Sequence, residues 1–262
     1  MHHFLFGVFP YIAIAVMVLG SVLRYELAPF SWKSSSSQLL RRRQFVLGSV
    51  LFHVGVLFIL FGHLVGLLTP VAVFDALGIS HGAKQILAMT AGGIAGLMAL
   101  VGGAILLHRR LVDPRIRANS TLADTGILIL LMVQLVLGLL TIPVSAGHLD
   151  GHEMIRLMNW AQAIAYFGPD PAGHLQGVHW IFKLHLVLGL TIFLLFPFTR
   201  LVHMLSAPLR YLWRPGYQIV RSKRGARAGV GLNPLPGDVA AREALAQRVA
   251  AHDLALTRGP GE

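Results

Sequence analysis

Five long apolar stretches constrain the fold of this chain more than any other feature. They lie near residues 4–23, 45–68, 85–107, 122–143 and 181–205. Each reaches the ~20 apolar residues that an α-helix needs to cross about 30 Å of hydrocarbon. Hydrophobic residues make up 55% of the 262-residue chain and charged residues only 13%, which excludes an ordinary soluble domain. The sequence predicts an all-α integral membrane bundle of five transmembrane helices.

The basic residues indicate the orientation of this bundle. Of the 22 Lys and Arg residues, all but Lys84, Arg156 and Lys183 follow the first or third stretch or lie from Arg200 onward, at the end of the fifth stretch and beyond. Loops rich in Lys and Arg stay in the cytoplasm, so we expect the N-terminus outside and the C-terminus in the cytoplasm. The net charge of +11 is therefore a topology signal. We expect the lipid bilayer as a partner and no nucleic acid.

Composition and pattern assign three further regions of the chain. Residues 1–220 should form the membrane domain, and residues 221–262 a flexible cytoplasmic tail with one short helix in VAAREALAQRVAAHDLAL. Between the fourth and fifth stretches, the segment MIRLMNWAQAIAYF has an amphipathic pattern. We expect it to lie at the membrane surface, with Trp160 and Tyr166 at the interface.

Four histidines lie inside the apolar stretches. His53 and His63 belong to the second stretch, and His185 and His203 to the fifth. An ionisable side chain inside a spanning helix is costly unless it faces the bundle and has a partner, so each is a candidate site residue. Because the two helices run antiparallel, His53 should face His203, and His63 should face His185. These pairs would lie near opposite sides of the membrane.

Facing imidazoles suit the two axial positions of haem b. With no cysteine in the chain, iron–sulfur clusters and covalently attached c-type haem are excluded. A zinc site would usually need three or four ligands. Small residues beside the histidines would admit a large flat group: Gly48, Gly55, Gly62, Gly66 and Gly189.

The spacing of the histidines argues against two identical sites. At about 100° per residue, the interval from His185 to His203 returns to one helix face, whereas His63 falls roughly 80° away from His53. Pro197 lies between the two histidines of the fifth stretch and can kink that helix.

From about Tyr11 to Val220 the chain resembles the gamma subunit of membrane-bound respiratory nitrate reductase, a dihaem cytochrome b anchor. The motifs that carry the resemblance include LRYELAPFSWKSSSSQLLRR, LFHVGVLFILFGHLVGLLTP, AKQILAMTAGG, HRRLVDPRIRA, GLLTIPVSAGHLDGHEM and FKLHLVLGLTIFLLFPFTRLVH. The resemblance implies two haem b groups, an outer one on His63 and His185 and an inner one on His53 and His203.

The same resemblance implies an oxidoreductase subunit of a bacterial-type inner membrane, serving anaerobic respiration and nitrate assimilation. It would oxidise membrane quinol at a site with His63, Lys84 and Gly62. The electrons would pass to an iron–sulfur beta subunit and then to a molybdenum-cofactor alpha subunit, since nothing in this chain can reduce nitrate. Three inner arginines suit the haem propionates: Arg109, Arg110 and Arg200.

Other interpretations of these residues stay open. The same dihaem framework could serve another redox complex, such as one linked to a heterodisulfide or sulfite reductase. A haem-free transporter could instead use the histidines to relay protons or bind a metal, although the spans offer only Gln134 and Asp124 as further polar groups. Lys84 could be an interfacial lysine that reaches towards water. The arginines could serve only as topology determinants.

Overall fold

The computed structural model describes residues 1–32, 40–147, 149–206 and 243–251. It divides into one compact unit of residues 1–207 and a second of residues 208–262. In the second unit, residues 243–251 form a helix within the stretch predicted to be helical. The rest of the predicted tail lies outside the described residues, as does Lys33, so the domain boundary at residue 220 stays a prediction.

The first unit is built from helices. Their bounds are α1 Phe9–Leu27, α2 Arg42–Leu68, α3 Val71–Ala76, α4 His81–Val112, α5 Pro114–Ala118, α6 Leu122–Ala146, α7 His152–Ala165 and α8 Trp180–Leu195. Five segments are long and apolar enough to cross a membrane: Phe4–Leu27, Arg42–Leu68, His81–Val112, Leu122–Ala146 and Trp180–Phe198. The described residues contain no strand. The predicted bundle of five helices is confirmed, while the orientation of its termini stays a prediction.

The long helices pack in a series in which α2 contacts α4, α4 contacts α6, α6 contacts α8, and α8 contacts α1. Glycines allow the closest of these contacts. A Cβ atom on Gly55 would lie 2.6 Å from the carbonyl oxygen of Ala95, and one on Gly102 would meet the backbone of Phe52. Within the described residues, α2, which carries His53 and His63, and α8, which carries His185, are not a closely packed pair.

The fifth span is not one continuous α-helix. The α-helix ends at Leu195 and is followed by 3₁₀ turns at Phe196–Phe198 and Arg200–Ser206, with extended backbone at Thr199 between them. Pro197 explains the break, because its ring cannot donate a backbone hydrogen bond and clashes with the preceding turn. The predicted span 181–205 is therefore helical throughout most of its length but changes its helix type, and His203 lies on the 3₁₀ segment.

The amphipathic segment forms α7, which packs on the end of α2. The Gln162 side chain donates hydrogen bonds to the carbonyl oxygens of Leu67 and Thr69, at 3.1 and 3.0 Å. These are among the carbonyls that a helix end leaves unpaired. Trp160 is buried against protein and donates to the carbonyl of Phe6, whereas Tyr166 is exposed. The position of this segment at the membrane surface stays a prediction. The contacts of α7 hold the end of α2 beyond His63.

Candidate functional site

The four histidines meet in two pairs across the gap between α2 and the fifth span. The ring centroids of His63 and His185 lie 6.3 Å apart, with 35° between the ring planes. Those of His53 and His203 are also 6.3 Å apart, with 72° between the planes. The structure therefore brings together the pairs that antiparallel topology predicts. The two pairs differ in geometry, as the unequal spacings require.

The separation of the rings suits one metal ion between each pair. Metal–imidazole bonds of ~2.0–2.1 Å, together with an imidazole radius of about 1.1 Å, place opposed ring centroids about 6.3 Å apart. Among the described residues, no group of three or more His, Cys, Asp or Glu side chains is placed to share a metal ion. Each pair thus offers two protein ligands, which matches the axial ligation of a haem.

Three of the histidines have the ring nitrogen Nδ1 occupied by a backbone carbonyl. His53 Nδ1 donates to the carbonyl of Ser49 at 2.7 Å, and His63 Nδ1 donates to that of Ile59 at 2.8 Å. His203 Nδ1 donates to the carbonyl of Arg200. A proton on Nδ1 leaves the lone pair of Nε2 free, which is the arrangement that metal-binding histidines commonly adopt.

His185 has a different environment, because its ring lies against α6. The Gln134 amide nitrogen is 3.2 Å from His185 Nε2 and donates to the His185 carbonyl at 3.1 Å. His185 Nδ1 and Gln134 Oε1 are both buried without a hydrogen-bond partner among the described residues. Sequence reasoning noted Gln134 only as a possible transport residue. A single glutamine in an apolar helix was the available signal, but its partner depends on helix rotation.

Lys84 points into the protein. It is 8% exposed, and its ammonium donates to the carbonyl of Gly66 and to the sulfur of Met158, both at 2.9 Å. The ammonium also lies 3.6 Å from the centroid of the Phe74 ring, a favourable cation–π distance. The alternative of a lysine that reaches towards water does not fit this geometry. The sequence analysis did not identify Met158 as a contact of Lys84.

The surroundings of Gly62 are open. A Cβ atom added to Gly62 would meet no other atom within 4 Å, so this glycine is not required by packing. Open space beside His63 is what a flat ligand would need.

The three predicted inner arginines do not form one cluster. Arg110 donates to the carbonyl of Asp124 at 2.7 Å, and Arg200 lies 3.8 Å from its carboxylate. Arg109 instead donates to the carbonyl of Leu40 at 2.6 Å. Arg110 and Arg200 thus converge at the start of α6, whereas Arg109 holds the start of α2.

The bundle and its paired histidines define a multi-pass membrane protein with two facing imidazole pairs, one towards each end. A family model for the nitrate reductase gamma subunit matches residues 2–223. The chain therefore belongs to the nitrate reductase gamma subunit family. It is a subunit of a multisubunit oxidoreductase and a multi-pass protein of a bacterial inner membrane.

Individual relatives support this assignment. The chain is 51% identical over 220 residues to respiratory nitrate reductase 1 gamma chain of Escherichia coli, covering 84% of this chain and 97% of that protein. It is 37% identical to nitrate reductase gamma chain of Bacillus subtilis, with the same coverage. A more distant relative is an Hdr-like menaquinol oxidoreductase cytochrome b-like subunit of Archaeoglobus profundus, 28% identical over 59% of this chain and 45% of that protein.

Proposed function

We propose that this chain is the quinol-oxidising dihaem cytochrome b subunit of a respiratory nitrate reductase. It would take electrons from membrane quinol and deliver them to a cytoplasmic iron–sulfur subunit. The observation that best supports this proposal is the equal 6.3 Å separation of two histidine pairs in a chain of this family. No cluster of ligands for any other kind of metal site competes with it among the described residues.

His63 and His185 would be the axial ligands of an outer haem b, and His53 and His203 those of an inner one. When bound, these groups would supply one-electron oxidation and reduction. Three of the ligands already have Nδ1 occupied by a carbonyl. The fourth ligand, His185, would give up the contact between its Nε2 atom and Gln134 and would hold the iron instead. The Gln134 amide would keep its bond to the His185 carbonyl.

Quinol would bind beside His63 and Lys84. The Met158 sulfur that Lys84 contacts is a weak hydrogen-bond acceptor, so a quinol oxygen could replace it at little cost. Gly62 leaves open space next to His63 for the quinol ring. The name of the Archaeoglobus relative includes menaquinol, which favours a membrane quinol as the electron donor.

The proposed orientation makes this chemistry electrogenic. The asymmetry of Lys and Arg residues favours an outer position for the Lys84 end of the bundle. Each quinol would lose two electrons and two protons to become quinone. The protons would be released outside, while the electrons would leave on the cytoplasmic side. Charge separation of this kind builds a membrane potential.

On the cytoplasmic side, the chain would bind an iron–sulfur beta subunit, which in turn would supply a molybdenum-cofactor alpha subunit. Arg110 and Arg200 are near enough to each other, at Asp124, to serve one propionate group. Arg109 would need to leave the Leu40 carbonyl to do the same. We therefore propose Arg110 and Arg200 as the stronger propionate partners of the three.

A second candidate function is the same dihaem framework in a different redox complex. The likeness to the Archaeoglobus subunit favours it, although that likeness covers only 59% of this chain. The two functions share the histidine ligands and the quinol site. They differ in the cytoplasmic acceptor, so co-purification with a molybdenum-containing subunit would separate them.

A redox-titrated visible spectrum of the purified complex tests the proposal. The native complex should contain two b-type haems with distinct potentials. His63→Ala should lose the outer haem and quinol oxidation, and His203→Ala should lose the inner haem. His108→Ala changes an exposed histidine of α4 and should keep both. Absence of haem from the native complex, or two haems in His63→Ala, would contradict the assignment.

A further inference from the structure

The break at the end of α8 places His203. After Leu195, Phe196–Phe198 form a 3₁₀ turn, Thr199 is extended, and the 3₁₀ segment Arg200–Ser206 begins. A helix that ends in this way leaves carbonyl groups without intrahelical partners. Those carbonyls need donors from elsewhere, because an unpaired polar group in the low-dielectric part of a membrane protein is costly.

Arg24, in the last turn of α1, supplies the donors. Its Nη1 atom donates to the carbonyl of Pro197 at 2.6 Å and to that of Thr199 at 2.8 Å. Its Nη2 and Nε atoms donate to the carbonyl and hydroxyl oxygens of Ser31, at 2.8 and 3.1 Å. One guanidinium therefore fixes both sides of the break and joins them to the segment that follows α1. The planar fork of arginine suits this task, which a lysine ammonium would fill only in part.

Gly20 provides a second contact at the same place. It lies one turn before Arg24 on α1, and a Cβ atom there would approach Pro197 Cγ to 2.8 Å and Pro197 Cβ to 2.9 Å. These distances are shorter than real Cβ contacts. The absence of a side chain at Gly20 thus allows the Pro197 ring to lie directly against α1. In this position Arg24 reaches the carbonyls of Pro197 and Thr199.

The contacts reach the inner histidine through a short path. Thr199 accepts from Arg24 through its carbonyl, and His203 is tied by Nδ1 to the carbonyl of the next residue, Arg200. The position of the 3₁₀ segment that begins at Arg200 therefore determines the orientation of the His203 ring. Its ring faces His53 with 72° between the planes.

We infer that Arg24 and Gly20 are positioning residues for the inner haem site, because they hold the break after α8 in the geometry that directs His203 towards His53. This inference rests on the proposed role of His203 as an axial ligand. A role of Arg24 in topology alone would require only its charge. It would not require four hydrogen bonds, two of them to the carbonyls at this break.

The test uses the full complex, with each variant matched to a control. Arg24→Gln removes the guanidinium. Its control, Arg117→Gln, removes an exposed positive charge that follows the third span. Gly20→Ala inserts a methyl group against Pro197, whereas Gly126→Ala inserts one where nothing lies within 4 Å. Arg24→Lys keeps the charge without the fork. The readouts are haem content, the midpoint potential of each haem, and its low-spin EPR signal, which depends on the angle between the two imidazole planes.

We expect Arg24→Gln and Gly20→Ala to lose inner haem or to shift its potential and EPR signal, while the outer haem is unchanged. Arg24→Lys should give a smaller shift, and both controls none. The inference is overturned if the inner signals of Gly20→Ala and Arg24→Lys match those of the controls, even where Arg24→Gln does not assemble. Failure of the ligand assignment itself would be separate, since His203→Ala would then keep the inner haem.

Discussion

The ammonium of Lys84 donates to the carbonyl oxygen of Gly66 at 2.9 Å, which ties the first turns of α4 to the last turn of α2, just beyond His63. A buried charge persists only where it is hydrogen-bonded or paired. Here its other close neighbours are a sulfur atom and an aromatic face. Among the described residues, the donor group is therefore held next to the proposed outer ligand with one strong acceptor. It is well suited to donate a further hydrogen bond to an acceptor atom of a ligand.

Replacing Lys84 by Ala should weaken quinol oxidation without loss of either haem. A hydrogen bond to a charged group contributes about 1.5–3 kcal/mol, so kcat/KM for quinol should fall roughly tenfold to a hundredfold. Steady-state kinetics with a soluble quinol analogue measures this change. Arg156→Ala is the control, because it removes another of the three cations that we expect on the outer side. Unchanged kinetics in Lys84→Ala would show that this residue has only a structural role.

A larger side chain at Gly62 should block quinol without disturbing the bundle. The space around its Cβ position is open, so Gly62→Leu should assemble normally and retain both haems. If the quinol ring occupies this space, its KM should rise by at least the tenfold that ~1.4 kcal/mol of lost binding produces. Gly126→Leu, at another open position, should leave the KM unchanged. A native KM in Gly62→Leu would place the quinol elsewhere.

The sequence was sufficient to predict the histidine pairs. Hydropathy defines five spans, and antiparallel topology then pairs the start of α2 with the end of the fifth span. It could not explain how spacings of ten and eighteen residues give equal ring separations. At Pro197 the span leaves the α-helix, and His203 lies on a 3₁₀ segment. Because a 3₁₀ segment rises more per residue than an α-helix, a change of direction at this break has to absorb the longer interval. Pro197 indicated a kink, but not its direction.

Contacts between helices were the part that could not be predicted. Gln134 reaches His185, and Arg24 reaches Pro197, only because of the rotation of α6 and α1 about their axes. These helices are apolar on most sides, so their hydrophobic pattern does not define that rotation. The burial of Trp160 has the same origin. Its segment is amphipathic, yet the apolar face packs against protein.

Gln134→Leu should affect the outer site alone. The substitution removes the amide that donates to the His185 carbonyl, a bond that contributes about 0.5–1.5 kcal/mol and that would persist when His185 holds the haem. We expect weaker retention of the outer haem and a shifted midpoint potential, with the inner haem unchanged. Redox titration followed at both haem bands measures this. An equal shift of both haems would indicate a general loss of packing, and no shift would mean that Gln134 does not position His185.

Gly55→Leu should destabilise the bundle and affect both sites. Its Cβ would lie 2.6 Å from the Ala95 carbonyl, so α2 would have to move away from α4. Overpacking of this kind typically costs about 1–3 kcal/mol. Because α2 carries His53 and His63, loss of both haems should accompany a lower Tm in detergent. Gly92→Leu, where nothing lies within 4 Å, should keep the native Tm.

The ion pair of Arg41 and Asp113 should make stability depend on pH in acid. The hydrogen bond from Arg41, 2.6 Å long, holds the pKa of Asp113 below its usual range. The ionised form therefore stabilises the fold above about pH 4, the range of an ordinary aspartate, and this contribution is lost as pH falls through the lower folded pKa. Asp113→Asn keeps an acceptor for the backbone of Arg115 and Ile116 but removes the ion pair. The native chain should have a higher Tm than Asp113→Asn at pH 7, and this difference in Tm should shrink below about pH 4.

Arg41→Gln should reproduce this pH dependence, and the double variant should add nothing to it. A Tm difference that stays constant down to pH 3 would contradict the assignment of this stabilisation to the ion pair.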